Sequence, residues 1–568
     1  MILKALYEYY QRDKNSVPLG WMWANLSFII VIDEKGHYLG IEDCRNEKGK
    51  GQPFLLPKGE HNNSETPLLY WDNLMYALDY SDKPSITTHN KHLSFVKRCK
   101  DVANKYKFDS LQSVVLFYEQ NELVKVYQDP LWETIIKNPN NNVSFKIQGS
   151  MRIVPCEDTF IKIVQSERVG NEADTKKGIC LVTGDYSTLV KTGTKTPIKG
   201  CKSSAKLVSF QVSSGYDSYG KEQCYNAPIS VEADFAFSSA IKKMLDENSR
   251  NKYIIGNRTF LFWASKDDEA GQKAEDSFFS LFGFNEQKDD PNKNIEQVRK
   301  VFEAIYKGSL KTNLEDTFYI LGLAPNAARI AVTYWAEIPL RKFAETICKH
   351  FDDMEVSDTR IEKKPYMSLR NIISTVTLGG NVSDATPNLA DTVAKSIFEG
   401  LPYPQTLFAS CIRRIRAESG EKDKNAIQIT RAAIIKAYLN RLNNKEQKIK
   451  VMLDKDNTNQ GYLYGRLFAV LDKIQEEANN QHSIRERYMN SASSTPATVF
   501  SIILNLSNHH IENLKNEGRK IHFEKLKQEI ISKIDADGFK AQLDLQDQGR
   551  FFIGYYHQRQ DFFTNNIE

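Results

Sequence analysis

Lys221, Gln223 and Asn226 fall close together in the stretch "SSGYDSYGKEQCYNAPIS", residues 213–230. A lysine ammonium suits a groove lined with phosphates, and the amides of Gln and Asn offer paired donors and acceptors that match base edges. Gly220 precedes the three and, with Gly215, lets backbone come close to a partner. Tyr216, Tyr219 and Tyr225 supply rings that serve equally to stack on a base or to pack the loop back on its own domain. The stretch has neither a helical stripe nor a strand alternation. Composition alone leaves a reading loop and a self-packed loop level.

Charge around the stretch adds to this. Lysines stand at 176, 177, 191, 195, 199, 202, 206 and 221, against Asp185 and Asp217. Hydroxyl and glycine residues lie among them, which suits phosphate binding better than a merely solvated surface. Lys191, Lys195, Lys199 and Lys202 are the candidate backbone contacts. A second basic region spans 413–450, with Arg413, Arg414, Arg416, Arg431, Lys436 and Arg441 on helices whose other faces are apolar. Arg413 and Arg416 share a face at i, i+3. Here a charged bundle surface and the tracking of a nucleic-acid backbone are equal readings. Lys58, in the Pro-Lys-Gly turn of "LPKG", is a further candidate; Trp71 in "LYWDN" reads as core.

Other chemistry is not signalled. The cysteines at 44, 99, 156, 180, 201, 224, 348 and 411 form no Cys-x-x-Cys pair, which argues against a zinc ribbon or a redox motif. His509 and His510 are adjacent, so on a helix they point apart and do not share a metal. "KTGTKTPIKG" at 191–200 lacks the Gly-Lys-Ser/Thr ending of a phosphate loop. No nucleophile elbow and no zinc-protease motif is present. The expectation is a chain with no catalytic residues, no metal and no cofactor. The net charge of +4 is small for 568 residues, so nucleic-acid binding must come from local patches. No apolar run approaches the roughly 20 residues of a membrane span. "MILKALYEYYQRDK" is an amphipathic helix, not a signal peptide, and the expected location is cytoplasmic, with reduced thiols.

These residues need elements to hold them, and the pattern is α+β. Strands are expected at 26–33, 113–119, 177–184, 205–212 and 258–265, and as a hairpin within 316–337. Amphipathic helices are expected at 232–246 and 293–307. From about residue 385 the periodicity is helical only, as in "NLADTVAKSIFEG", "YPQTLFASCIRRIRAE" and "GYLYGRLFAVLDKIQEEA". The expected architecture is a large mixed N-terminal domain, 1–384, followed by an antiparallel helical bundle, 385–568. "FFIGYYHQRQDFF" at 551–563 is expected to cement that bundle, with His557 and Arg559 outward.

Several dispersed segments carry a resemblance. They are "MILKALYEYY", "FIIVIDEKGHYLGIEDCR", "LPKG" with "LLYWDNLMYAL", "CLVTGD", "YGKEQCYNAPIS", "LGLAPNAARIAV", "PNLADTVAKSIFEGLPYP" with "RRIRAE", "GYLYGRLFAVLD" and "FFIGYYHQRQDFF". In number and order they resemble the Csd1 family, the large subunit of the type I-C CRISPR surveillance complex (Cascade), over the whole chain. Cys224, where a small polar residue is expected, is a minor departure.

The resemblance implies a non-catalytic subunit of a ribonucleoprotein. Such subunits recognise a short protospacer-adjacent motif in double-stranded DNA, help unwind it and stabilise the R-loop. Implied partners are guide RNA, the target duplex and its displaced single strand, Cascade backbone and small subunits, and a helicase-nuclease. By analogy with distant relatives that use a glycine loop, a lysine finger and a glutamine wedge, the reading roles fall on Gly220, Lys221 and Gln223, with Asn226 as a fourth reader. The resemblance further implies a small subunit translated from an internal start. Met452, after the polar linker "NRLNNKEQKIKV", would yield residues 452–568, and Lys445–Glu446 can be encoded by purine-rich codons. Met489 is the competing start, and an ordinary linker methionine the competing account. Two other functions stand beside this: a guide-RNA scaffold that never reads duplex DNA, and a cryptic metal-dependent nuclease.

Overall fold

The structure is a computed structural model. It describes residues 2–13, 16–58, 67–83, 85–170, 176–211, 215, 220–282, 291–313, 315–359, 367–386, 388–419, 427–442, 448–479 and 483–564. The fold is α+β, with several small sheets and many helices. The chain forms two compact units. The larger comprises Met1–Arg12, Lys195–Val208 and Ala240–Glu568; the smaller comprises Asp13–Thr194 and Ser209–Ser239. The change of sequence pattern near residue 385 falls inside the larger unit, because one hydrophobic core runs from Tyr253 on its sheet to Phe562 on its last helix.

The smaller unit is built on a four-stranded sheet, ordered Tyr38–Asp43, Phe28–Ile32, Asn142–Ile147, Trp71–Asn73. The two central strands run parallel, Phe28 opposite Val143 through Ile32 opposite Ile147. Burial on both faces explains the unbroken apolar run of "FIIVI". The helices Ile86–Tyr106 and Asp109–Glu119 supply Phe95, Leu111, Val114 and Phe117 to its core. The segment 113–119, expected as a strand, is therefore a helix. Its apolar residues are enclosed by core, and a short apolar run buried all round has no period to distinguish the two. Asp109 in its first turn complements the helix dipole.

The larger unit contains an antiparallel sheet ordered Arg329–Pro339, Thr317–Asn326, Arg258–Ala264, Lys252–Ile255. The hairpin expected in 316–337 and the strand expected at 258–265 are both present. One face sends Phe260, Phe262 and Phe318 into a cluster with Phe278, Phe343 and Phe398. The other presents Trp263 to Tyr319, Trp335 and Tyr9, the last from the amphipathic N-terminal helix Ile2–Arg12. The segment 205–212 is not a strand: in its described part only an isolated bridge, Lys206 with Arg329, forms. Its Leu207 N–H is taken instead by the Thr196 hydroxyl at 3.1 Å.

The helices of the larger unit centre on Gln460–Asn479, which is buried without interruption from Gln460 to Asp472. It crosses the last helix, Leu545–Thr564, at backbone contact. A β-carbon at Gly461 would lie 2.5 Å from the Asp547 carbonyl oxygen, and one at Gly554 would lie 2.3 Å from that of Tyr462. Glycine is the only residue that permits such an approach. "FFIGYYHQRQDFF" does join the core, but His557 does not face outward: it is 1% exposed and its Nδ1 lies 3.0 Å from the Tyr462 hydroxyl. Arg559 is also drawn in, pairing with Glu476 at 2.7 Å. From Phe551 to Gln558 this helix is buried on every side, which leaves His557 no outward face.

Candidate nucleic-acid interface

In the smaller unit three segments converge. The first is the hairpin Lys177–Ile179 with Tyr186–Thr188. The second is Leu189–Thr194, and the third is the described part of the opening loop, 220–230. The Leu181 N–H donates to the Pro228 carbonyl at 2.9 Å and the Val190 N–H to that of Ile229 at 3.0 Å. Leu189 bridges Ser230. The Cys224 N–H donates to the Lys191 carbonyl at 3.1 Å. The expected strand over 177–184 is thus shortened to three residues, because Cys180–Gly184 closes a turn. Val182 and Ser230 donate their N–H groups to the Cys180 sulfur at 3.4 and 3.2 Å. Those donors hold the thiol below its usual range although burial opposes them.

The four reading candidates occupy this loop in different ways. Gly220 has φ +69°, and no described residue comes within 4 Å of where its β-carbon would be. Lys221 is exposed. Gln223 is half-buried, holds φ +46°, and its Oε1 accepts from the Thr192 hydroxyl at 3.2 Å. A non-glycine residue at positive φ is uncommon, and functional clamps are where such strain collects. Asn226 donates its amide to the Gln223 carbonyl at 2.9 Å, so it braces the loop. Cys224 is buried beneath them, which is why a thiol fits there. Tyr225 is half-buried, with the Lys176 ammonium 5.0 Å from its ring centroid. Tyr216 and Tyr219 lie outside the described residues, as do Gly59 and Lys445–Glu446.

The lysines do not act as one patch. Lys176, Lys177, Lys191 and Lys221 belong to the smaller unit, whereas Lys195, Lys199, Lys202 and Lys206 belong to the larger. Lys191 pairs with Glu222 at 2.8 Å, which keeps that carboxyl below its usual range and Lys191 above its own. Glu222 stands one residue beyond the lysine run in the sequence. Asp234 fixes the neighbouring segment by accepting from the Thr194 N–H at 3.2 Å and its hydroxyl at 2.5 Å. Lys58 is drawn to the same neighbourhood: its ammonium lies 5.1 Å from the ring of Phe235, on the helix Val231–Leu245 that follows the loop. Trp71 is core, 3% exposed, as its context indicates.

Of the second basic region, Arg413 and Arg416 are exposed. Arg414 pairs with Glu418, which also holds Arg431 at 2.6 Å. Arg431, Lys436 and Arg441 are 3%, 4% and 8% exposed, so they are internal braces and not a surface. Lys436 donates to the carbonyls of Asp352 and Asp353 at 2.9 and 3.0 Å, closing the end of the helix Leu340–Met354.

The hairpin also exposes an apolar face within the segment expected as a strand. Ile179 stands opposite Tyr186 in register, and with Leu181 the three are 64%, 72% and 57% exposed. Exposed apolar clusters mark contact surfaces. Among the described residues no group of three or more His, Cys, Asp or Glu is placed to hold a metal, and no helix is long and apolar enough to cross a membrane. Residues 6–563 match a family model described as CRISPR-associated protein (Cas_Csd1). No protein of curated function matches the chain.

Proposed function

Because the chain belongs to the Csd1 family of CRISPR-associated proteins, we propose that it is the non-catalytic large subunit of a type I-C surveillance complex. In this role it recognises the protospacer-adjacent motif in double-stranded DNA, assists unwinding and recruits a helicase-nuclease. It works with guide RNA, Cascade backbone subunits and small subunits. Guide pairing supplies most of the sequence specificity, so the protein needs only a small reader and basic surfaces for phosphates. The observation that carries this proposal is the bracing of one loop. Gly220, Lys221 and Gln223 stand on backbone pinned by the hairpin, by Lys191 and by Asn226. A preformed loop loses little conformational entropy on binding. Lys221 enters the groove, Gln223 presents its amide to a base edge, and Ile179, Leu181 and Tyr186 form an apolar face able to lie against unstacked bases.

The test is target binding by the assembled complex. Lys221→Ala and Gln223→Ala each weaken duplex binding by about 10- to 100-fold, the cost of one good base or phosphate contact. Gln223→Ala in addition relaxes the preference at one motif position. Unchanged affinity together with unchanged motif preference removes this loop from the reader. Binding indifferent to flanking duplex sequence favours a guide-RNA scaffold instead, and metal-dependent cleavage by the isolated chain would revive a nuclease.

The proposal extends to an internal start at Met452. Residues 452–568 contain the buried helix Gln460–Asn479 and four helices packed with it. A start at Met489, inside the helix Ser483–Ser494, would omit that central helix.

A further inference from the structure

Three contacts join the dipeptide Lys191–Thr192 to the candidate reading loop. The Lys191 ammonium pairs with Glu222 at 2.8 Å, the Thr192 hydroxyl donates to the Gln223 Oε1 at 3.2 Å, and the Lys191 carbonyl accepts from the Cys224 N–H at 3.1 Å. Glu222, Gln223 and Cys224 are thus each held from one short segment. That segment is itself anchored on both sides. The Val190 N–H donates to the Ile229 carbonyl at 3.0 Å, and the Thr194 hydroxyl donates to Asp234 at 2.5 Å. All of these residues lie in the smaller unit.

Within this clamp Gln223 holds φ +46°, a conformation that non-glycine residues seldom take and that surrounding contacts must enforce. The clamp also bears on what the side chain presents. A carboxamide carries an acceptor oxygen and a donor NH2 group that diverge from one carbon, and half a turn about the last side-chain bond exchanges them. An unrestrained glutamine therefore offers a base a donor, an acceptor or, for adenine, both. Here Oε1 is engaged by Thr192, and among the described residues Nε2 has no partner. The NH2 group is the part left for a ligand. The negative field of a duplex favours the same orientation, because it draws donors outward. Among major-groove edges, guanine N7 and O6 and thymine O4 accept, whereas cytosine offers the N4 donor.

We infer that Thr192 is a positioning residue for motif recognition, holding Gln223 so that its NH2 group faces the base, and that the base read there carries a hydrogen-bond acceptor. The inference rests on the proposed reading role of Gln223 and adds the polarity of that contact, through a residue that the sequence did not single out.

The assembled complex is competed against duplexes carrying each of the four bases at every motif position. Wild type prefers an acceptor-bearing base to cytosine at the position whose preference Gln223→Ala relaxes. Thr192→Val keeps the shape of an exposed side chain and removes its hydroxyl. The amide is then free to turn, and discrimination against cytosine falls about tenfold at that position alone, the scale of one base-specific contact. Thr192→Ser, which keeps the hydroxyl, retains the discrimination, and both variants keep the wild-type thermal midpoint. Discrimination unchanged in Thr192→Val overturns the positioning role and leaves Gln223 as a reader. A wild-type preference for cytosine at that position overturns the donor orientation. Binding of every motif weakened evenly by Thr192→Val marks a merely structural contact and overturns the inference as well. Motif preference unchanged by Gln223→Ala removes the reading role itself, and the inference with it.

Discussion

Gly465 offers the sharpest test of how the helices of the larger unit fit together. A β-carbon there would sit 1.9 Å from the carbonyl oxygen of Phe551 and 2.9 Å from the nitrogen of Tyr555. Both are backbone atoms, so no rotamer change relieves the clash. The helices Gln460–Asn479 and Leu545–Thr564 must part by about 1 Å, which also loosens the contacts at Gly461 and Gly554. Overpacking of this kind costs about 1–3 kcal/mol, and a backbone contact lies at the top of that range. Alanine returns about 1 kcal/mol of helix propensity. Gly465→Ala is therefore expected to destabilise the larger unit by about 2 kcal/mol, some 30-fold in its folding constant. Urea unfolding followed by far-ultraviolet circular dichroism reads this, since that signal is dominated by helix. A variant as stable as wild type, or more stable, refutes backbone contact at this crossing: the propensity gain would then stand alone.

Three further outcomes are expected. Arg431→Ala leaves Glu418 buried with one fewer cation, and the loss is about 3–5 kcal/mol; Arg413→Ala, exposed, leaves stability unchanged, and equal unfolding midpoints for the two would contradict the assigned burial. His350 and His557 are neutral when folded, because burial pushes them down to about 4 and about 3 from the ordinary 6.5. The unfolded chain then binds protons first, so stability is full above about pH 6.5 and declines below it by about 1.4 kcal/mol per pH unit for each histidine, until its folded value is reached. His557→Gln flattens that part of the profile, and a profile parallel to wild type counts against neutral burial. Met452→Leu, at a 64% exposed position, leaves the full chain folded and abolishes a small co-purifying product of residues 452–568; persistence of that product removes Met452 as its start.

Much of the architecture was legible because it depends on period. The hairpin of the large sheet, the N-terminal helix and helices such as Leu389–Phe398 and Gln405–Glu418 carry a face, and a face leaves a repeat in the sequence. The helix 109–119 left none, since core surrounds it. The hairpin at 177–188 departs from expectation for another reason: Cys180–Gly184 turns back on itself, so Ile179 and Leu181, apolar by type, stand exposed at its edge. The candidate loop was legible as chemistry, through a lysine and two amides around a glycine. What composition could not supply was its bracing, which comes from Lys191, Thr192 and Pro228, all outside the stretch that bears the amides.

The basic residues show why a charge count is a poor guide to a binding surface. Arg413 and Arg431 are the same residue type on consecutive amphipathic helices, and sequence treats them alike. The structure separates them by what stands opposite. Glu418 reaches both Arg414 and Arg431, and Thr375 offers Arg431 a carbonyl at 3.0 Å. A buried guanidinium with such partners is committed to the fold, because releasing it to a phosphate would strand a carboxylate in the core. Arg413, exposed on the same helix as Arg414, carries no such penalty. The same criterion ranks the lysines. Lys191 must give up Glu222 before it can hold a phosphate, though at an exposed pair that exchange costs little. Lys221 is exposed and, among the described residues, pairs with no carboxylate, so the motif reading is placed on it.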